Sequence, residues 1–100
     1  MSAYAVFIRD KTLDQAEMDA YSAKVKATFQ GHPIEVLAAY GPHVVLEGDE
    51  VEGLLIARFP SIDAARAWYE SPAYQEVVQH RFKGAAYRAL IVEGLPGVPS

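Results

Sequence analysis

The strand-like segments of this chain are apolar on both parities. In GLLIARF, residues 53–59, Leu54 and Ile56 alternate with Leu55, Ala57 and Phe59, and in AYRALIVE, residues 86–93, Ala89 and Ile91 alternate with Leu90 and Val92. Successive side chains on a strand point to opposite faces, and a sheet with one solvated face alternates apolar with polar residues. A sheet built from these segments must be covered on both sides.

The remaining segments indicate what covers one of them. AYAVFIR, residues 3–9, reads as the first strand, with Tyr4, Val6 and Ile8 on one face and Ala3, Ala5 and Phe7 on the other. Thr12 precedes Gln15 by three residues, the spacing of a capping box, and Met18, Tyr21, Val25 and Phe29 recur at helical intervals, which predicts a helix over 13–29. IEVLAAY, 34–40, predicts a second strand interrupted by Gly41 and Pro42, with pairing resumed through HVVLE, 43–47. GLLIARF is then the third strand and its hairpin partner. Ser61 is placed to cap a helix through Ile62, Ala65, Trp68 and Tyr69, and Ser71 to cap another with Pro72 at its first position, where a missing N–H costs nothing. Gly84 is the expected stop of that helix, and AYRALIVE is the last strand.

The order is strand, helix, strand, strand, helix, strand. It predicts an α+β fold of the ferredoxin-like βαββαβ kind, a four-stranded antiparallel sheet with helices on one face. The second apolar face then needs another cover, and a second copy of the same sheet supplies it, giving a homodimer through sheet faces, a dimeric α+β barrel. One hundred residues form a single domain over 1–100, with the Gly- and Pro-rich end, 95–100, irregular.

Composition narrows the partners. The chain is 51% hydrophobic and 22% charged, values of an ordinary folded protein, and its net charge of −4 argues against nucleic acid and against anionic membrane surfaces. It has no cysteine, which removes disulfides, thiolate metal sites and cysteine nucleophiles and suits a cytoplasmic protein. MSAYAVFIRD is too short an apolar run for a signal-peptide core, and no segment is long enough to span a membrane.

The run FPSIDAARAWYESPAYQEV, 59–77, followed by Arg81 and by IVEG at 91–94, with VLEG at 45–48, resembles the family called domain of unknown function 1330. The resemblance covers about residues 3–94. It implies the ferredoxin-like fold and the dimeric barrel but no reaction. Where such proteins carry arginines around the second strand, HPIEVLAAYG has Glu35 and Ala39, so the resemblance brings no anion-binding arginine to those positions.

Trp68, Tyr69 and Tyr74 form the densest aromatic group. They read either as helix-to-sheet packing or as the wall of a small-molecule pocket, Trp68 and Tyr74 as ligand-binding residues joined by Tyr40 at the end of the second strand. Arg81 shares the apolar face of its helix with Tyr74; it must pair with a carboxylate such as Glu47 or Glu93 or offer its guanidinium to an anionic ligand group. His43 follows the Gly41-Pro42 interruption and is the candidate general base, with Glu47 to orient it and Tyr69 as a third catalytic candidate. The spacing of His32, His43 and His80 matches no metal motif, and neither metal nor cofactor is expected. No nucleophile elbow or phosphate-binding glycine loop is present.

Two functions of different kinds fit these residues. One is a cofactor-independent enzyme of the monooxygenase, isomerase or cyclase kind acting on a small organic substrate. The other is a non-catalytic ligand-binding or stress-related module using the same pocket.

Overall fold

The computed structural model describes residues 2–96. Its elements are β1 (Ala3–Thr12), α1 (Gln15–Lys24) continued by a 3-10 turn (Val25–Phe29), β2 (Glu35–Ala39), β3 (Gly53–Phe59), α2 (Ile62–Tyr69), α3 (Pro72–Gly84) and β4 (Ala85–Glu93). The strands form one antiparallel sheet in the order β2-β3-β1-β4, the ferredoxin-like arrangement expected from the sequence. The molecule measures 40 × 36 × 17 Å along its principal axes, the thickness of one sheet and one helical layer.

The helices press on one face only. Ala3, Ala5 and Phe7 of β1 and Ala57 and Phe59 of β3 are buried beneath them. Val6, Ile8, Leu54 and Ile56 stand on the opposite parity, with Leu90 and Val92 half exposed beside them. An apolar sheet face is therefore left bare in the isolated chain.

Capping fixes the corner between α2 and α3. The Ser61 hydroxyl accepts from the Ala64 amide, and the Ser71 hydroxyl accepts from Tyr74 N–H while donating to the Trp68 carbonyl, with Pro72 opening α3. At α1 the expected cap is wrong. Asp14, not Thr12, accepts from the amides of Ala16 and Glu17. Thr12 is a strand residue instead: β1 runs on past residue 9, across a register shift between Arg9 and Lys11, and Thr12 pairs with Ala85 and gives both its amide and its hydroxyl to Glu52.

The second correction lies after β2. Pairing does not resume through 43–47, because Tyr40 adopts φ 59° and Gly41-Pro42 follows, so the chain leaves the ladder with Val44 and Leu46 exposed. Of the end expected to be irregular, 95–100, Leu95 and Pro96 lie outside any strand and 97–100 fall outside the described residues.

Candidate functional site

Trp68 is both core and wall. It is buried, its ring lies 4.2 Å from Tyr74, 5.8 Å from Phe59 and 6.1 Å from Phe7, and its Nε1 donates to the Thr28 hydroxyl at 3.1 Å. Beside it, between α1 with its 3-10 extension and the sheet, opens a cavity of about 270 Å³. Phe7, Met18, Val25, Phe29, Ile34, Leu55, Ala57 and Trp68 give it an apolar lining, and Tyr21, Tyr40, Tyr87, Ser22, Arg9 and Lys26 bring polar groups to it. Gly53 makes room for one of these: a Cβ there would lie 2.9 Å from Cδ1 of Tyr40.

The phenols meet in two pairs. The Tyr21 and Tyr74 hydroxyls are 2.8 Å apart, buried between α1 and α3, and those of Tyr40 and Tyr87 are 2.8 Å apart, Tyr40 reaching from the end of β2 over Gly53 of β3 and Arg9 of β1 towards Tyr87 of β4. Burial pushes the phenols of Tyr21 and Tyr74 above the ordinary range, for Tyr74 against the pull of the Arg81 guanidinium, and desolvation and the Tyr87 hydrogen bond push Tyr40 up although that residue keeps 37% exposure. These three hydroxyls remain neutral at physiological pH. Within each pair one hydroxyl donates to the other, which leaves one hydroxyl hydrogen per pair for a further acceptor.

Arg81 lies behind them, 3% exposed. Its guanidinium carbon sits 4.6 Å from the Tyr87 ring centroid and 5.4 Å from those of Phe7 and Phe82, and Tyr74, Tyr21 and Tyr69 are its electrostatic neighbours. Neither carboxylate expected from the sequence reaches it: among the described residues none forms an ion pair with Arg81, and its Nε makes no hydrogen bond. Aromatic rings and phenol hydroxyls face the charge. Arg9, by contrast, has Glu52 at 3.2 Å as well as the Tyr40 ring at 4.8 Å.

The candidates named from sequence divide accordingly. Trp68 and Tyr40 line the cavity, and Tyr74 and Arg81 stand behind it. Tyr69 packs 5.4 Å from Tyr74 but opens into a separate depression between α2 and β4, which Trp68 shares. His43 lies in the loop after β2 with its Nε2 3.0 Å from the Val51 carbonyl, and Glu47 borders an open acidic depression with Asp10, Asp49 and Glu50. Neither His43 nor Glu47 is part of the cavity lining. His80 is engaged with Glu17 at 3.0 Å, and among the described residues no group of three His, Asp or Glu side chains is placed to hold a metal ion. A roomier depression at Pro33, Ile34 and Phe59 is more open, and its charged side chains, Arg58 and Glu35, pair with each other.

Sequence reasoning missed Tyr21, Tyr87 and Arg9. A signal existed for Arg9, which shares the buried parity of Ala3, Ala5 and Phe7, and for Tyr87, which faces it across β1 and β4.

Solved structures share the fold. RPA0582, a protein of unknown function from Rhodopseudomonas palustris, superposes with a TM-score of 0.72 at 19% identity over 94% of this chain and 82% of that one. A dimeric ferredoxin-like protein of unknown function from Bacteroides fragilis gives 0.63 at 12% identity over 93% and 96%. SnoaB, a cofactor-independent oxygenase from Streptomyces nogalater, gives 0.57 at 16% identity over 99% and 96%. No curated protein matches the sequence. Residues 2–95 match the family described as Domain of unknown function (DUF1330), and the chain belongs to that family.

Proposed function

We propose that this protein binds a small organic molecule in the cavity between α1 and the sheet, and that it does so as a homodimer joined through the bare sheet faces. The cavity carries the reading: an apolar, aromatic lining with a few convergent polar groups is what a small-molecule site requires. A cavity of about 150 Å³ accepts benzene. The larger one here has room for a body of one or two rings.

A catalytic version of this reading has its own support. Neutral phenols backed by a fixed guanidinium stabilise negative charge as it develops on a ligand oxygen, and such preorganised groups are among the strongest contributors to catalysis. Oxygenation, isomerisation or cyclisation passing through an enolate or phenolate fits that arrangement without a cofactor, and SnoaB, on the same fold, is a cofactor-independent oxygenase. Tyr21, Tyr40, Tyr74, Tyr87 and Arg81 are the residues assigned to this chemistry, with Trp68 as a wall. His43, Glu47 and Tyr69 lie off the cavity and receive no role in it.

Native mass spectrometry of gently purified protein, read for oligomer mass and retained small molecules, tests the binding reading. A dimer carrying an organic ligand whose removal changes the fluorescence of Trp68, the single tryptophan, is the expected result. An empty protein that takes up no member of an aromatic fragment library would overturn it.

A further inference from the structure

Arg81 is a buried cation with no anionic partner among the described residues. It is 3% exposed, its Nε is unbonded, and no carboxylate among the described residues pairs with it. A buried charge is normally paired and hydrogen-bonded, because removal from water without compensation is expensive. The faces of Phe7, Tyr87 and Phe82 and the hydroxyls of Tyr74 and Tyr21 supply part of that compensation. They supply no negative charge.

The cavity in front of Arg81 has the same bias. Acidic residues outnumber basic ones in the whole chain, 13 against 9, yet the cavity lining includes Arg9 and Lys26 and no acidic side chain. Arg9 is offset by Glu52 from outside the lining, whereas among the described residues no carboxylate pairs with Arg81 or with the exposed Lys26. Phe7 and Tyr87 belong both to the lining and to the ring set stacked on Arg81, so the guanidinium stands directly behind that wall.

We infer that the ligand is an organic anion: an aromatic or otherwise apolar body of one or two rings whose carboxylate, phenolate or enolate oxygen points to the Tyr21, Tyr87 and Arg81 end of the cavity. The inference rests on the reading of the cavity as a small-molecule site and names the class of molecule it takes. In the complex the ligand oxygen accepts from the phenols and completes the charge balance of Arg81. The same end of the cavity would discriminate against the neutral form of one and the same compound.

A nitrophenol that ionises near neutral pH and reports its ionisation by colour probes this directly. Its binding to the full-length protein is followed through Trp68 fluorescence, and the ionisation of the bound probe is followed by absorbance across pH. The expected result is tighter binding of the phenolate, with the apparent pKa of the bound probe lowered by about one unit or more, a roughly tenfold preference. Arg81→Met should bind the probe with that shift reduced; if it does not fold, the shift in the unaltered protein still decides the matter. A probe that binds with its pKa unchanged or raised overturns the anion inference and leaves the small-molecule cavity standing. Failure of both ionisation states to bind overturns the two together.

Discussion

Tyr21 and Tyr74 make stability depend on pH at the alkaline end. Burial raises both phenols in the folded protein, whereas in the unfolded chain each ionises near its ordinary value, about 10. Their contribution is therefore whole below about pH 10 and declines as pH rises beyond it, since there the unfolded chain sheds protons that the folded one retains. Urea midpoints should hold level from pH 8 until the pH approaches about 10 and fall from there to pH 11, and Tyr21→Phe should flatten that fall. Identical slopes in the two proteins would refute the assignment. The same pair marks the limit of what sequence reveals about single residues. Tyr74 and Arg81 share a helix face and could be read together, and Trp68 announces itself in AWY. Tyr21 reads only as one more apolar-face residue of α1, because its hydroxyl partner lies 53 positions away and meets it only after α1 and α3 pack. For His43 and Glu47 the signal is local and converse: the setting after Gly41-Pro42 suggests chemistry, while His43 bonds to the Val51 carbonyl, Glu47 borders the acidic depression, and neither is part of the cavity lining.

Between elements, α1 and α3 approach closely at Gly84. A Cβ on Gly84 would lie 2.9 Å from Met18 Cγ and 3.0 Å from the Met18 backbone nitrogen, and the amides of Leu13 and Asp14 already donate to the Gly84 carbonyl. The Met18 side chain could swing aside; its backbone cannot. Gly84→Ala should therefore destabilise by about 1 to 2 kcal/mol, the overpacking penalty outweighing a gain in helix propensity of up to about 1 kcal/mol. A urea midpoint equal to or above that of the unaltered protein would show that α1 and α3 separate without strain. Element positions were legible wherever the signal was local: β3 occupies 53–59 as expected, and the Ser61 cap and the Ser71-Pro72 start of α3 lie where their residues indicated. The errors arose where distant partners decide. β1 reaches Thr12 because β4 and Glu52 are there to pair with it, and α1 tightens into a 3-10 turn at Val25, where the apolar spacing alone suggested an unbroken helix.

For the whole molecule, the bare sheet face resembles half of an interface. Val6, Ile8, Leu54, Ile56, Leu90 and Val92 form its apolar centre. On the same parity, the ion pair of Arg58 with Glu35 lies at one corner and that of Arg88 with Asp10 at the diagonal one. An apolar centre with charges at its rim is the anatomy of a protein–protein contact, and an isologous contact through a two-fold axis requires only this one surface. Sedimentation at micromolar concentration should give twice the chain mass of 11.0 kDa. Val6→Lys places a charge at the middle of the face, on a strand flanked on both sides, and should yield a folded monomer, because the substituted side chain points away from the helical core. The helix-covered cavity lies on the opposite side of the sheet from that substitution, so the monomer should retain the probe affinity of the dimer if each subunit forms its own site. A monomer in the unaltered protein would remove the two-fold assembly and leave the apolar face needing another cover.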